Sequence, residues 1–314
     1  MLRSDGGEQR SGDEASGHPP PRWRRGTPRQ RRRDRPSGLL CSDERTVTVK
    51  IAGLQHPGTP GDVEENLAAL EAAATRAAAE GVRLLVTSEM FLTGYNIGDR
   101  VAELAREPLE ERVADVARRT GVALAVGLPL PGKSGVTNSV LLLDETGRRL
   151  ARYDKTHLFG ALDRSLFVPG EHPTVTADLD GVRLAFLVCY DVEFPETVRA
   201  AALAGADLLV VPTAQMEPFA FVAEHLVRVR AWENQVYLAY VNHSGAEGDL
   251  RYVGRSSISA PSGDVLAMAD VDGEALLVAD VDVEVVRAAR RDNPYLDDLR
   301  AEFRLPPALP EVTP

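Results

Sequence analysis

Cysteine is scarce in this chain: of 314 residues only Cys41 and Cys189 carry a thiol, far apart and in segments of different character. Such a pair builds no disulfide framework and suits a reducing compartment, so the sequence predicts a cytoplasmic protein. Long apolar runs are missing as well. None approaches the roughly 18–20 residues that a membrane-spanning helix needs. No Gly-x-Gly-x-x-Gly follows a predicted strand and no P-loop pattern occurs, which removes the dinucleotide and nucleoside-triphosphate folds that share such motifs. The six histidines show no His-x-x-x-His spacing, and no Cys and His cluster is present to hold zinc. Papain-like Cys, His and Asn contexts are also missing around His157, His225 and His243, and His157, two residues after Lys155, reads as structural.

What is present is a chain with 44% hydrophobic and 26% charged residues, enough to bury a large core. The net charge of −11 hides an asymmetry, because residues 1–40 hold ten arginines against five acids. The remainder is therefore more acidic than the total suggests, which disfavours nucleic acid and anionic membrane as partners. Residues 1–44, rich in Gly, Pro, Ser and Arg, cannot offset their ordering entropy and are expected to be a disordered basic segment. That segment lacks the apolar centre of a secretory signal, and its acids argue against a transit peptide. Its RWRR and RQRRRDR clusters suit an anionic partner, a solvated tail or translation from an upstream start codon.

From Arg45 onward strands and helices alternate. TVTVKIAGLQ alternates like a first strand. Asp62 with Glu65 forms a capping pattern for an amphipathic helix over 62–80, ended by Gly81. A strand over 82–86 then runs into Thr87, Ser88 and Glu89. Pro108 and Gly121 bracket a second helix, followed by a strand over 122–127. The segments 138–143 and 149–153 flank a turn-forming centre, giving a hairpin with Lys155 just beyond it. A helix over 194–204, a strand over 207–211 and a helix over 221–234 come next, the last with Phe221, Val222, His225, Leu226 and Val229 on one face. Strands over 236–241, 254–259, 265–268 and 275–281 and a helix over 282–291 complete the pattern. The predicted divisions are the segment 1–44, one domain over 45–292 and a tail over 293–314. This alternation argues for an α/β layered fold, and the hairpins make its sheets mixed.

The stretch LAFLVCYDVEFPE, residues 184–196, is where chemistry first becomes visible. Leu184 to Val188 form a continuous apolar run, the mark of a strand buried on both faces, and Cys189 stands at its carboxyl end. Open α/β sheets bind ligands at such ends. Alone, a cysteine there reads more readily as a small buried hydrophobe. Glu89 and Lys155 alter that reading, because they too lie at or just beyond predicted strand ends, in SEMFLTGYN and RYDKTHLFG.

Taken together, the three contexts, in their order and spacing, resemble the nitrilase superfamily of carbon-nitrogen hydrolases over residues 46–290. CYDVEFPE and PTAQMEP resemble its 5-aminopentanamidase and stereoselective amidase branches. The resemblance implies a four-layer αββα sandwich with two mixed β-sheets, no cofactor, and a homodimer contacting near the helices after Cys189 and after Pro218. It also implies roles: Cys189 as nucleophile, Glu89 as general base and acid, and Lys155 with the backbone N–H of Tyr190 as oxyanion donors. The chemistry requires such a set. An amide carbonyl is a poor electrophile, and a thiol is mostly protonated at neutral pH, so a base must release the thiolate as attack occurs.

One position departs from the family pattern. A second glutamate usually stands a few residues before a Pro-Gly, whereas LDRSLFVPGE has Asp163, one methylene shorter. Glu171, beyond the Pro-Gly, stands in the wrong place to substitute. Another departure concerns the substrate: members that bind carboxylates often carry Arg four residues after the cysteine, where this chain has Glu193. A carboxylate there favours an amine-bearing aliphatic amide, unless Glu193 pairs with a structural Arg. Gln215, Met216, Glu217 and Phe219 follow a strand end as candidate pocket walls, Tyr95 is expected against the substrate, and Asn138 is expected to position the substrate or the catalytic loops. N-carbamoyl amine hydrolysis and nitrile hydrolysis use the same thioester path and stay open as alternatives. A non-catalytic binding member is the reading from another class.

Overall fold

The computed structural model describes residues 47–303. The basic segment over 1–44, with Cys41, and the end of the tail beyond 303 lie outside the described residues. In chain order the first half holds β1 (Thr48–Gln55), α1 (Val63–Ala79), β2 (Leu84–Val86), α2 (Arg100–Leu104), α3 (Leu109–Thr120), β3 (Ala123–Pro131), β4 (Val136–Leu143), β5 (Arg149–Asp154) and α4 (Gly160–Leu166). The second half holds β6 (Thr176–Leu179), β7 (Val182–Phe186), α5 (Pro195–Leu203), β8 (Leu208–Thr213), α6 (Val227–Asn234) and β9 (Tyr237–Asn242). It closes with β10 (Ala246–Glu247), β11 (Leu250–Arg251), β12 (Ser257–Ser259), β13 (Val265–Met268), β14 (Ala275–Asp282), α7 (Val283–Asp292) and α8 (Tyr295–Asp298).

Two six-stranded mixed sheets carry the architecture, in the orders β14-β1-β2-β3-β4-β5 and β13-β12-β9-β8-β7-β6. Each has a parallel centre, β1-β2-β3 in one and β7-β8-β9 in the other, with antiparallel strands outside. The central strands are buried on both faces, which is why their sequences read as continuous apolar runs rather than alternating ones. One face of the first sheet, with Ile51, Val86 and Ala125, packs on the second sheet in a shared core that includes Phe186, Val210 and Tyr240. Its other face, with Leu54, Leu85 and Leu124, is covered by α1 and α3 through Leu70, Ala73, Ala77, Val113 and Ala117. Helices α5 and α6 contribute Val198, Ala201, Val227 and Ala231 to the core of the second sheet. The expected αββα layering is therefore the observed fold.

Capping chemistry sets the helix limits much as the sequence predicts. Asp62 accepts a hydrogen bond from the Glu65 N–H at the start of α1, satisfying one orphan donor. Gly121 ends α3 at φ +69°, a left-handed conformation that a side chain would oppose. Other expectations need correction. The hairpin strand β6 and the short helices α2 and α4 have no clear period, and the sequence reading passes over them. The helix after Pro218 buries Val222, Ala223, Val227 and Ala231, not the face that includes Phe221, His225 and Val229. A π-helical turn over Val222–Leu226 shifts the phase, so a constant 3.6-residue period misassigns the buried side.

The two sheets bring the carboxyl ends of their parallel strands to one end of the sandwich. The Glu89 N–H beyond β2 donates to the Thr213 carbonyl of β8 at 3.3 Å, joining the two exits directly. Since β4 is antiparallel to both β3 and β5, its beginning lies beside their ends. Asn138, early in β4, and Lys155, just after β5, thus reach the same place. No described helix is long and apolar enough to cross a membrane.

Candidate active site

Glu89, Lys155 and Asp163 meet in a buried cluster at that end, each at most 1% exposed. The loop carrying Glu89 crosses β3 closely at Gly127, where a Cβ would fall 2.2 Å from the Ser88 carbonyl oxygen, so only glycine allows the approach. Behind it, His243 Nε2 donates to the Glu89 carbonyl at 2.6 Å, stabilising the turn from the second sheet. The Glu89 Oε1 atom accepts from Asn138 Nδ2 at 2.6 Å and from Lys155 Nζ at 2.7 Å. Its Oε2 atom is buried without a hydrogen-bond partner. A fixed carboxylate with one free oxygen is what a base needs: two donors aim it, and the remaining lone pairs can take a proton.

Lys155 Nζ makes a second ion pair, with Asp163 Oδ2 at 2.7 Å. Asp163 lies on α4, and its Oδ2 also accepts from the Phe159 N–H at 2.8 Å, while Oδ1 accepts from the Tyr95 hydroxyl at 2.6 Å. The shorter side chain therefore still reaches the ammonium. Tyr95 was expected against the substrate; the structure places its hydroxyl on Asp163, 1% exposed, behind the cluster. Glu247 holds the Tyr95 segment by accepting the N–H groups of Tyr95 and Asn96 at 2.9 and 2.7 Å.

Cys189 follows β7 and opens a 3-10 turn over Cys189–Glu193 at φ +46°, a strained value for a residue with a Cβ. Burial raises the Cys189 thiol well above its ordinary range, the Glu89 carboxylate raises it further, and Lys155 opposes. The resting sulfur is thus a thiol, and a base has to remove its proton. Burial also raises the Glu89 carboxyl, with Lys155 opposing and Asp163 adding to the rise. Burial alone would lower the Lys155 ammonium, but Glu89, Cys189 and Asp163 outweigh it and push it up, so it remains a cation. Two carboxyl groups and one ammonium in a dry site leave room for proton movement between Glu89 and a reacting group.

Sulfur opens onto a narrow cleft lined by Cys189, Glu193, Gln215, Met216 and the rings of Phe159, Tyr190 and Phe219, with a free volume of about 10 Å³. That is room for about one water molecule. Gln215 Oε1 lies 3.9 Å from Sγ and accepts from the Tyr240 hydroxyl at 3.3 Å. The pairing of Glu193 with a structural arginine is not observed. Arg230 donates instead to the Glu193 backbone carbonyl at 2.6 Å and to the Glu233 carboxylate at 2.8 Å. The Glu193 carboxyl is half-buried and hydrogen-bonded to Gln215, and burial raises it above the usual carboxylate range. A larger depression, about 420 Å³, between Pro131 and His172 contains none of these groups.

The sequence reading assigns no role to Asp191 and Glu247, and leaves Asn138 among positioning groups. Asn138 has a visible signal, its place at the head of the hairpin that delivers Lys155. Asp191 shows only its proximity to Cys189, and Glu247 shows none, because its partners are some 150 residues distant in sequence. His157 is structural as expected, its Nδ1 lying 2.9 Å from Asp191 Oδ1.

The family model described as carbon-nitrogen hydrolase matches residues 50–291. A Pseudomonas protegens protein named "Hydrolase in pqqF 5'region" is 46% identical over 85% of this chain and 94% of its own length. An (R)-stereoselective amidase from a Pseudomonas species is 38% identical over 80% of this chain and 92% of its own length. The solved amidase from Nesterenkonia sp. AN1 superimposes with a TM-score of 0.74 at 40% identity, covering 81% of this chain and 97% of that one. In another structure of that amidase, with TM-score 0.74 and 39% identity, the active-site cysteine has undergone Michael addition of acrylamide. By its sequence, its two stacked mixed sheets and these matches, the chain belongs to the carbon-nitrogen hydrolase family and is an amidase of the nitrilase superfamily with an active-site cysteine.

Proposed function

We propose that this amidase hydrolyses a small aliphatic amide bearing an amine to the carboxylic acid and ammonia, through an acyl thioester on Cys189. The observation that carries the reading is the free, buried Oε2 of Glu89, held beside Lys155 at the strand ends that also deliver Cys189. As Sγ attacks the amide carbon, Glu89 takes the thiol proton and the C=O electron pair moves onto oxygen. Lys155 and the Tyr190 N–H receive that oxyanion, the kind of preorganised donor pair such an intermediate requires. When the intermediate collapses, the C–N bond breaks, Glu89 returns the proton to nitrogen and ammonia leaves. Water then attacks the thioester, Glu89 accepts its proton, and the sulfur departs to be reprotonated. Asp163 keeps the ammonium oriented from its far side. No cofactor enters any step.

The walls and charge of the cleft support the substrate class. Its aromatic walls suit a short aliphatic chain, and a mutant of the solved Nesterenkonia amidase has been captured in complex with butyramide. Glu193, forming no salt bridge among the described residues, is available to an ammonium at the far end of the substrate. Ammonia release across matched neutral, amino-bearing and carboxylated aliphatic amides tests this, with the amino-bearing amide expected to be fastest. Glu193→Gln should reduce its advantage over the neutral amide about two- to fivefold, the worth of a partly exposed ion pair. Faster turnover of the carboxylated amide would refute the role of Glu193. Carbon dioxide among the products would instead favour an N-carbamoyl amine substrate, and nitrile turnover a nitrilase.

The same proposal extends to assembly and location. A homodimer through the outer face of the helices after Cys189 and after Pro218 is supported by Leu203 at 37%, Phe221 at 65%, Val229 at 49% and Trp232 at 47% exposure, an apolar surface that water penalises. Val229→Glu with Trp232→Glu should convert the dimer to a monomer by light scattering. An unchanged mass would remove this face from the interface. Residues 45–292 act as one catalytic domain, and a two-cysteine chain fits the cytoplasm.

A further inference from the structure

The catalytic chemistry above makes no use of Asp191, yet its carboxylate is fully buried and accepts more hydrogen bonds than any group in the reacting cluster. Oδ1 accepts from Thr156 Oγ1 at 2.8 Å and the His157 N–H at 2.9 Å, and lies 2.9 Å from His157 Nδ1. Oδ2 accepts from the Tyr153 hydroxyl at 2.9 Å and the Val188 N–H at 3.1 Å. These donors come from two places only. Tyr153, Thr156 and His157 bracket Lys155 at the exit of β5, and Val188 immediately precedes Cys189 at the exit of β7. The two exits belong to different sheets, so no strand pairing fixes their separation.

We propose that Asp191 is a positioning residue that sets the distance between the Lys155 ammonium and the Cys189 sulfur by tying both segments to one carboxylate. The inference rests on the thioester reading of the site. No Lys or Arg pairs with Asp191 among the described ion pairs, where its partner is His157. It is absent from the walls of the cleft and so does not touch substrate. A carboxylate suits the task because its two oxygens offer about four lone-pair sites in a rigid plane. Its backbone joins in, with the Asp191 N–H donating to the Val188 carbonyl at 3.1 Å and the carbonyl accepting from Thr197 Oγ1 at 2.5 Å. The strained φ of Cys189 therefore sits inside a turn closed from both sides.

The test is Asp191→Asn in the full chain, assayed on the amide that the wild type turns over fastest. Asparagine keeps the shape but presents an N–H₂ to donors, which loosens the tie. We expect kcat to fall about 100-fold, the cost of misplacing reacting groups by about 1 Å, with KM within about threefold. Labelling of Cys189 by methyl methanethiosulfonate, followed on its peptide by mass spectrometry, should change less than about threefold, because disulfide formation builds no oxyanion and does not need Lys155. Tyr153→Phe combined with Thr156→Val, which removes two donors on the Lys155 side alone, should give the same split with a kcat loss of about tenfold. This pair decides the matter if Asp191→Asn does not fold. An unchanged kcat, or a parallel fall of kcat, labelling and melting temperature, would overturn the inference, the second by showing a merely structural residue. A wild type that releases ammonia from no amide would overturn the thioester reading and this inference with it.

Discussion

Cys189→Ala is expected to lower ammonia release by about 10⁴-fold or more while leaving the fold and the melting temperature nearly unchanged. Losing a nucleophile removes the covalent path altogether, and no other described thiol is present to replace it. Stability should change little because Sγ sits at the rim of a cleft, 8% exposed, and its longest-range partner is Gln215 at 3.9 Å. Removing the thiol also removes a group that burial and Glu89 disfavour as an anion, and it takes away only the weak sulfur contacts with Thr213 and Ala214. Amide binding should survive, readable by calorimetry with the same panel of amides. A variant retaining more than about a hundredth of wild-type turnover would refute covalent catalysis at this residue.

Lys155→Met should cost both activity and stability. The ammonium is the single cation between two fully buried carboxylates, with Glu89 Oε1 and Asp163 Oδ2 each at 2.7 Å. Breaking such a buried pair from one side typically costs about 3–5 kcal/mol, because the other charge stays desolvated. For a chain of this size that corresponds to a melting temperature lower by about 10 °C. Turnover should fall about 10²–10³-fold or more through loss of an oxyanion donor. The pH dependence has a definite sign. Without the opposing ammonium, burial and the neighbouring Asp163 raise the Glu89 carboxyl further, so the folded variant binds more protons than the unfolded chain. Stability must then rise as the pH is lowered through the neutral range. Thermal melts of the variant across that range check it: a melting temperature that falls on mild acidification would show that Glu89 and Asp163 do not share the site as described.

These two substitutions separate the functions of neighbouring charges. On the proposed mechanism Cys189 contributes reactivity with little stability, whereas Lys155 contributes both, because the oxyanion requires a cation where water is excluded. That placement costs stability unless carboxylates surround it. The cluster answers with two, and each is held by a neutral donor from another element, Asn138 on Glu89 and Tyr95 on Asp163. Asp163 thus reaches Lys155 despite its missing methylene, because α4 places its backbone close enough and the Phe159 N–H takes up the same oxygen.

Much of this was legible beforehand, for definite reasons. The central strands are buried on both faces and so announce themselves as apolar runs, and caps such as Asp62 and Gly121 act within a few residues of chain. Glu89, Lys155 and Cys189 were legible because reactive side chains at strand ends are local features, and because their three contexts together match one family. Less visible were α4, too short to show a period, and the outward face of the helix after Pro218, where a π turn breaks the period. Tyr95 was assigned to the substrate because an aromatic in TGYN says nothing of which buried carboxylate, 68 residues later, will accept its hydroxyl.

The sequence by itself therefore determined the layered α/β class and the superfamily, and put Glu89, Lys155 and Cys189 at strand ends, since each rests on patterns within short stretches of chain. Only the tertiary structure decided which Glu89 oxygen stays free, that Asp163 reaches Lys155, that Arg230 forms no ion pair with Glu193, and that Asp191 spans two sheets. The physical reason is common to all four: hydrogen bonds and ion pairs are short-range and directional, so a distance of about 3 Å between residues far apart in sequence is settled by packing.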